Sequence, residues 1–183
     1  MSSSAGIIII GDEILSGRTK DTNINWIANE LNELGIKLKE ARVIEDDKKT
    51  IINTVLEFSK KFTYVFTSGG IGPTHDDITT ESIATAFQVD LEKNKIAMNL
   101  LKKHYDKSNI DFNEARQKMA IIPKGASLID NPVSVAPGFN IKNVYVFAGV
   151  PKIMQSMFHS ISGKLKGGSI IKSKTITCDI GEG

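Results

Sequence analysis

Nine consecutive residues, Gly69-Gly70-Ile71-Gly72-Pro73-Thr74-His75-Asp76-Asp77, hold the residue types best suited to chemistry in this chain. Glycines let a ligand approach the main chain, and a glycine bend between a strand and a helix turns backbone N–H groups toward an anion. Gly69, Gly70, Gly72 and Thr74 are therefore candidate phosphate contacts. Two adjacent carboxylates, Asp76 and Asp77, follow the bend, and such a pair is unusual in a pure phosphate cradle. Amide donors beside carboxylates suit a phosphate held together with a divalent cation. Asp76 and Asp77 are the candidate catalytic acids. Asp77 is also a candidate cap for the next helix, which leaves Asp76 the freer group. The bland alternative is a glycine-rich turn with solvated acids. The Gly-Lys-Ser/Thr ending of a P-loop is missing, so ordinary ATPase chemistry is disfavoured.

Other acids follow other apolar runs. Asp12 and Glu13 come directly after Ile7–Ile10 and could hold a metal or accept from a ribose hydroxyl. Asp47 lies close after the run ending at Ile44, though it opens a helix and would also serve as its cap. The candidate metal set is Asp76 and Asp47, with Asp12 as a third member. Asn23 and Asn131 could contact ribose or phosphate and would serve equally as turn or cap residues. His75 beside the aspartates could titrate or bind a metal, but exposure is its commoner fate; His104 lies on an apolar stripe and reads as packed. No two histidines have metal-ligand spacing, which argues against zinc, and no Gly-x-Ser-x-Gly elbow is present.

The elements that must position these groups are legible from periodicity. Gly6–Ile10 is a β-branched run typical of a strand buried on both faces. Asp21 or Thr22 caps a helix with Ile24, Ile27, Ala28, Leu31 and Leu34 on one stripe, stopped at Gly35. A looser strand, Ile36–Ile44, precedes a helix carrying Ile51, Ile52, Val55 and Leu56. Phe62–Phe66 is the third strand, and Thr79 is the expected cap of the helix after the glycine bend, with Glu81 in its first turn. This β-α-β-α-β succession predicts a parallel sheet with helices on both faces and a ligand beyond the C-terminal strand ends. Helices are expected from about Glu92 to Lys107 and over Glu114–Ala120. Turn-rich segments follow, then a strand at Val144–Ala148 and a helix after Pro151. Ile170–Ile180 alternates like a strand.

Composition sets the class. The chain has 183 residues, 40% hydrophobic and 24% charged, with a net charge of +2. That charge and the scattered lysines give no argument for nucleic acid. One cysteine, Cys178, excludes an intrachain disulfide and fits a reducing compartment, where it reads as a buried structural thiol. The apolar run at the N-terminus is too short for a signal core or a membrane span, so a cytoplasmic location is the expectation. One domain over residues 5–163 is expected, with 164–183 a C-terminal strand or the start of a truncated extension.

Taken together, Gly11-Asp12-Glu13-Ile14-Leu15-Ser16-Gly17, Asp21-Thr22-Asn23 and Gly69–Asp77 with Thr79 and Glu81 resemble the molybdopterin-binding-like domain. Within that superfamily the chain is most similar to the CinA N-terminal domain and the N-terminal domain of eukaryotic FAD synthase. Asn113-Glu114-Ala115-Arg116, Pro123-Lys124-Gly125-Ala126, Asn131-Pro132, Ala136-Pro137-Gly138 and Gly149-Val150-Pro151 agree. His75 looks more like the FAD synthase branch. The resemblance implies an α/β fold, a three-layer α/β/α sandwich with a mostly parallel sheet. It also implies one of two activities. One is metal-dependent hydrolysis of a nucleotide pyrophosphate such as FAD, giving FMN and AMP, or ADP-ribose. The other is molybdopterin binding, sometimes with adenylylation. It further implies a divalent metal (Mg, Mn or Co), K+ as a candidate monovalent ion, a nucleotide or pterin phosphate ligand, and a homo-oligomer. The deamidase and adenylyl-transferring domains that accompany such domains elsewhere do not fit in 183 residues.

Overall fold

The computed structural model describes residues 3–168. Its central sheet has six strands. They are β1 (Ser4–Ile10), β2 (Lys37–Ile44), β3 (Tyr64–Ser68), β6 (Ser127–Ile129), β7 (Gly138–Ile141) and β8 (Val144–Phe147), in the order β2-β1-β3-β8-β7-β6. The pairs β1–β2, β1–β3 and β3–β8 are parallel; β7–β8 and β6–β7 are antiparallel. A separate antiparallel pair joins β4 (Leu91–Lys93) to β5 (Ile121–Pro123).

The expected three-layer arrangement follows from strand alternation. Ile7 and Ile9 of β1 face α2 (Asn23–Glu33) and α7 (Pro151–Ser162), where they pack with Ile27, Leu31, Met154 and Phe158. Ile8 and Ile10 face α3 (Lys48–Lys61) and α4 (Thr79–Phe87), among Ile51, Val55, Phe58 and Ile83. A strand clothed on both faces has no polar side, and β1 is buried along Ala5–Ile10. Gly6 is small for a packing reason: a Cβ there would lie 2.6 Å from the rings of Phe58 and Phe62.

Several boundaries differ from expectation. Phe62 closes α3 instead of starting β3, because its amide still bonds the Phe58 carbonyl. The third strand consequently runs on through Thr67 and Ser68 to the edge of the glycine bend. A one-turn helix, α1 (Asp12–Leu15), follows β1 after Gly11. The turn-rich stretch hides three short strands, β5, β6 and β7, each of three or four residues, too short for alternation to be readable. Helix α5 (Lys95–Ser108) begins three residues later than expected, after Asn94 caps it and β4 takes up Glu92. Leu100 of α5 is exposed, whereas Ala97 and Leu101 are buried against Ala120 just beyond α6 (Glu114–Lys118).

At the N-terminal ends of the strands the chain folds back on itself. Tyr64 Oη accepts the Lys166 amide (2.9 Å), Ser3 Oγ donates to the Lys166 carbonyl (2.7 Å), and the Gly168 amide bonds the Gly35 carbonyl (3.0 Å). The strand-like segment Ile170–Ile180 and Cys178 lie outside the described residues.

Candidate functional site

The C-terminal ends of β1, β3 and β8 open into a cleft of about 520 Å³. Its floor is the glycine bend. Gly69 (φ 116°) and Gly70 (φ 68°) take backbone conformations that side chains resist. Space is as restrictive: a Cβ on Gly69 would lie 2.1 Å from the Ile10 carbonyl oxygen, and one on Gly70 would lie 2.1 Å from Thr79 Oγ1. The Gly69 amide is used by the Phe147 carbonyl (3.1 Å). Those of Gly70, Ile71 and Gly72 have no acceptor among the described residues, and these residues line the cleft. Three adjacent unpaired donors beside a cleft are the kind of group an anion can use.

One flank is acidic. Glu13 and Asp46 line it, and Asp76 and Asp77 enter from the far side of the bend. Asp46, half-buried after β2, has its carboxyl pushed up chiefly by burial. The Asp12 amide opposes that shift, and the neighbouring charges of Asp12, Glu13 and Asp76 add to it. Glu13, Asp46 and Asp76, acids that follow β1, β2 and β3, thus border one cleft. Asp76 goes the other way: hydrogen bonding, with its own backbone amide among the donors, and the nearby His75 and Lys118 hold its carboxyl down. A single hydroxyl proton cannot serve two carboxylates, and the hydrogen-bond geometry gives that of Thr74 to Asp77. Asp76 is thus the exposed acid of the pair and lines the cleft.

The structure separates the remaining candidates. Glu13, Gly69, Gly70, Gly72, Asp76, Asp77 and Asn131 line the cleft. Asp47 does not: its Oδ2 accepts the Thr50 amide (2.8 Å) and caps α3, and Asp46 is the aspartate of that pair facing the cleft. Asp12 stands behind the acidic flank, its carboxylate accepting the Asp46 amide (3.3 Å). Asp77 does not cap α4. Its Oδ2 accepts both the amide (2.8 Å) and the hydroxyl of Thr74, folding the acidic loop on itself, so Thr74 is spent on Asp77 and lies outside the lining. Thr79 is not the α4 cap either; Ile78 holds that position, and Thr79 lies buried beneath Gly70. Asn23, 4% exposed, donates to Ser68 Oγ (2.9 Å) and the Gly149 carbonyl (2.8 Å), fastening two strand ends beneath the floor.

Sequence reading missed Asp46, Ser134 and Lys118. Lys118, at the end of α6, donates from Nζ to the carbonyls of Thr74 (2.9 Å) and Asp77 (2.9 Å) and so anchors the acidic loop from 41 and 44 residues away. Nothing local in the sequence signals that contact. Asp46 had a signal, its position two residues beyond the end of β2. Apart from Thr19, the rest of the lining is apolar, including Met119, Val150, Pro151 and Ile153.

The donor set bears on a metal. Among the described residues no three His, Cys, Asp or Glu groups stand close enough to hold an ion by themselves. Carboxylates gathered without a cationic partner in the lining do suit a hard cation shared with ligand phosphates, which needs only one or two of them. No helix among the described residues is long and apolar enough to cross a membrane.

Comparison with known proteins gives the family and the fold. Residues 6–166 match the family described as "Probable molybdopterin binding domain". A protein of Sulfurisphaera tokodaii is 39% identical over 165 residues, covering 87% of this chain and 63% of its own length. One from Saccharolobus islandicus is 38% identical over 166 residues, covering 88% and 63%. The chain thus spans less than two thirds of these relatives. Among solved structures, the CinA protein of Thermoplasma acidophilum, itself described as of unknown function, superposes with a TM-score of 0.82 at 35% identity, covering 89% of this chain and 98% of that one. MoaB of Thermus thermophilus, described as a molybdopterin biosynthesis enzyme, gives 0.60 at 15% identity over 89% and 91%, a likeness of fold alone.

Proposed function

The chain belongs to the family of probable molybdopterin-binding domains, and from that premise we propose that its cleft grips a diphosphate together with a divalent cation and hydrolyses the pyrophosphate of FAD or ADP-ribose. One observation carries the reading. Free amides of the Gly70–Gly72 bend and the carboxylates of Glu13, Asp46 and Asp76 line a single cleft, and among the described residues no Lys, Arg or His lines it with them. A diphosphate entering such a cleft meets donors at the floor and repulsion at the flank. A cation between flank and phosphates removes the repulsion and uses both surfaces.

In this reading Asp46 and Asp76 would hold the cation, with Asp12 orienting Asp46 from behind. Asp77 and Lys118 fix the loop on which Asp76 stands. A bound Mg, Mn or Co ion supplies charge neutralisation and an acidified water. The Gly70, Ile71 and Gly72 amides orient one phosphate and stabilise charge as it develops there. Water adds to phosphorus, the bridging P–O bond breaks, and FAD yields FMN and AMP. The apolar wall of Met119, Val150, Pro151 and Ile153 offers a dry surface for a flat ring.

The family's own description favours a second reading, in which the same cradle binds the phosphate of a molybdopterin, with or without its adenylylation. FAD, ADP-ribose and NADH, each offered with magnesium, manganese or cobalt and followed by mass spectrometry, test the first. Release of AMP that stops on chelation supports hydrolysis. Molybdopterin binding without any AMP release replaces it with the second.

A further inference from the structure

The connection from β6 to β7 forms the cleft wall beyond β8, on the side away from Glu13 and Asp46. Asn131 sits at its root, 2% exposed, and its side chain is saturated. Nδ2 donates to Ser134 Oγ (2.7 Å) and to the Ala136 carbonyl (2.7 Å). Oδ1 accepts the amides of Val133 (3.2 Å) and Ser134 (3.1 Å). A carboxamide has two protons and two lone pairs to share, and all four are used. Although Asn131 borders the cleft, it has nothing left for a ligand.

What Asn131 does instead is shape the loop. Val135 has φ 68°, and the Ala136 amide bonds the Ser134 carbonyl (2.8 Å) around it. That is a γ-turn of the rare, strained positive-φ kind, and a β-branched residue is a poor occupant for it. Such strain persists only where surrounding bonds over-determine the geometry, and the Asn131 bonds supply that constraint. They leave Ser134 lining the cleft with one lone pair taken by Asn131. Its O–H proton must then point away from Asn131, which makes Ser134 a side-chain donor presented to the cleft.

We infer that Ser134 is a binding residue, donating its hydroxyl proton to a phosphate oxygen of the ligand, and that Asn131 is the positioning residue that fixes the direction of that proton. A phosphate oxygen fits because it accepts and does not donate, and because among the described residues no Lys or Arg lines the cleft to compete for the role. The inference rests on the reading of the cleft as a diphosphate site.

The test uses the full chain with manganese, measuring inorganic pyrophosphate binding by calorimetry and ADP-ribose turnover by AMP release. Ser134→Ala should weaken pyrophosphate binding about tenfold and raise KM with little change in kcat. Ser134→Thr should restore the wild-type value, and Ser134→Cys, similar in size but a weak donor, should behave like Ser134→Ala. Asn131→Asp keeps the acceptor and loses both donors, so it should reproduce the Ser134→Ala loss at unchanged helix content. Undiminished pyrophosphate affinity in both Ser134→Ala and Ser134→Cys overturns the assignment and leaves the diphosphate cleft standing. A wild-type chain that binds no pyrophosphate with manganese, magnesium or cobalt overturns both.

Discussion

Asp12 and Asp46 clasp each other across the ends of β1 and β2: the Asp46 carboxylate accepts the Asp12 amide at 3.0 Å, and the Asp12 carboxylate accepts the Asp46 amide at 3.3 Å. Each acid is thereby fixed through the other's main chain, and one of the two carboxylates is turned into the cleft. The clasp sets two like charges side by side, and several consequences follow from it.

Because burial and neighbouring acids push the Asp46 carboxyl up, its ionised form costs stability. The sign follows from proton binding: the folded chain holds this proton more tightly than the unfolded chain, so the cost grows as pH rises from the ordinary carboxylate range through the raised value. Asp46→Asn should therefore melt higher than wild type at neutral pH. The gap should close as pH falls below that range, while turnover is lost. Melting curves across pH together with AMP release check both halves, and an unchanged gap at every pH contradicts the assignment.

Asp47 has a different task. Asp47→Ala removes the cap of α3 and should cost about 1 kcal/mol of stability, with metal-dependent turnover retained. Denaturant unfolding gives the first quantity and the substrate panel the second. Loss of turnover with stability intact would restore Asp47 to the cation site in place of Asp46.

At the floor, Gly69→Ala places a methyl against the Ile10 carbonyl oxygen, which belongs to a buried strand and cannot yield. Gly70→Ala meets the Thr79 side chain. Both also impose a side chain on positive φ. Each should cost about 1–3 kcal/mol or more, Gly69→Ala the larger share, and each should abolish pyrophosphate binding. A melting series with calorimetry distinguishes them.

Lys118 reaches the acidic loop from a distant helix. Lys118→Ala should leave the sheet intact but release Thr74–Asp77, lowering kcat/KM about tenfold, or about 1.4 kcal/mol of transition-state stabilisation. Hydrogen exchange at residues 74–77 should rise in the same variant. Normal protection there with normal turnover would remove Lys118 from the site.

Val135 offers a test of strain independent of any ligand. Asparagine tolerates the left-handed region, so Val135→Asn should stabilise the chain by about 1 kcal/mol, against the usual direction of a substitution from apolar to polar. A lower melting temperature would show that the conformation is not stressed.

Much of this architecture was readable from one rule, that runs of β-branched residues alternating with amphipathic stretches build a parallel sheet. Ile7–Ile10 and the Ile24–Leu34 stripe obeyed it because both are long enough to display a period. The strands β5, β6 and β7 escaped because three or four residues around Pro123 and Gly138 carry no period and look like turns. For the cleft, Gly69, Gly70, Gly72 and Asp76 were visible because glycine spacing and adjacent acids are local signals. The choice of Asp47 over Asp46 was not local. Either residue can cap a helix or face a ligand, and only the Asp12 clasp decides which does which. Asn131 was read as a contact to ribose or phosphate; it borders the cleft, but its saturation, and with it the importance of Ser134, depends on bonds that exist only once the loop has closed.

The strap at the far pole of the sheet has a practical side. Ser3, Gly35 and Tyr64 bind Lys166 and Gly168 beneath the starts of the strands, whereas the mouth opens above their finishes. A reporter dye or a solid support fastened at exposed Lys166 would face the opposite hemisphere, and ligands could be delivered to an immobilised molecule without obstruction. A signal from such a dye on ligand arrival would have to travel the full length of the β-strands, which would make it a gauge of how rigidly this sheet connects its two ends.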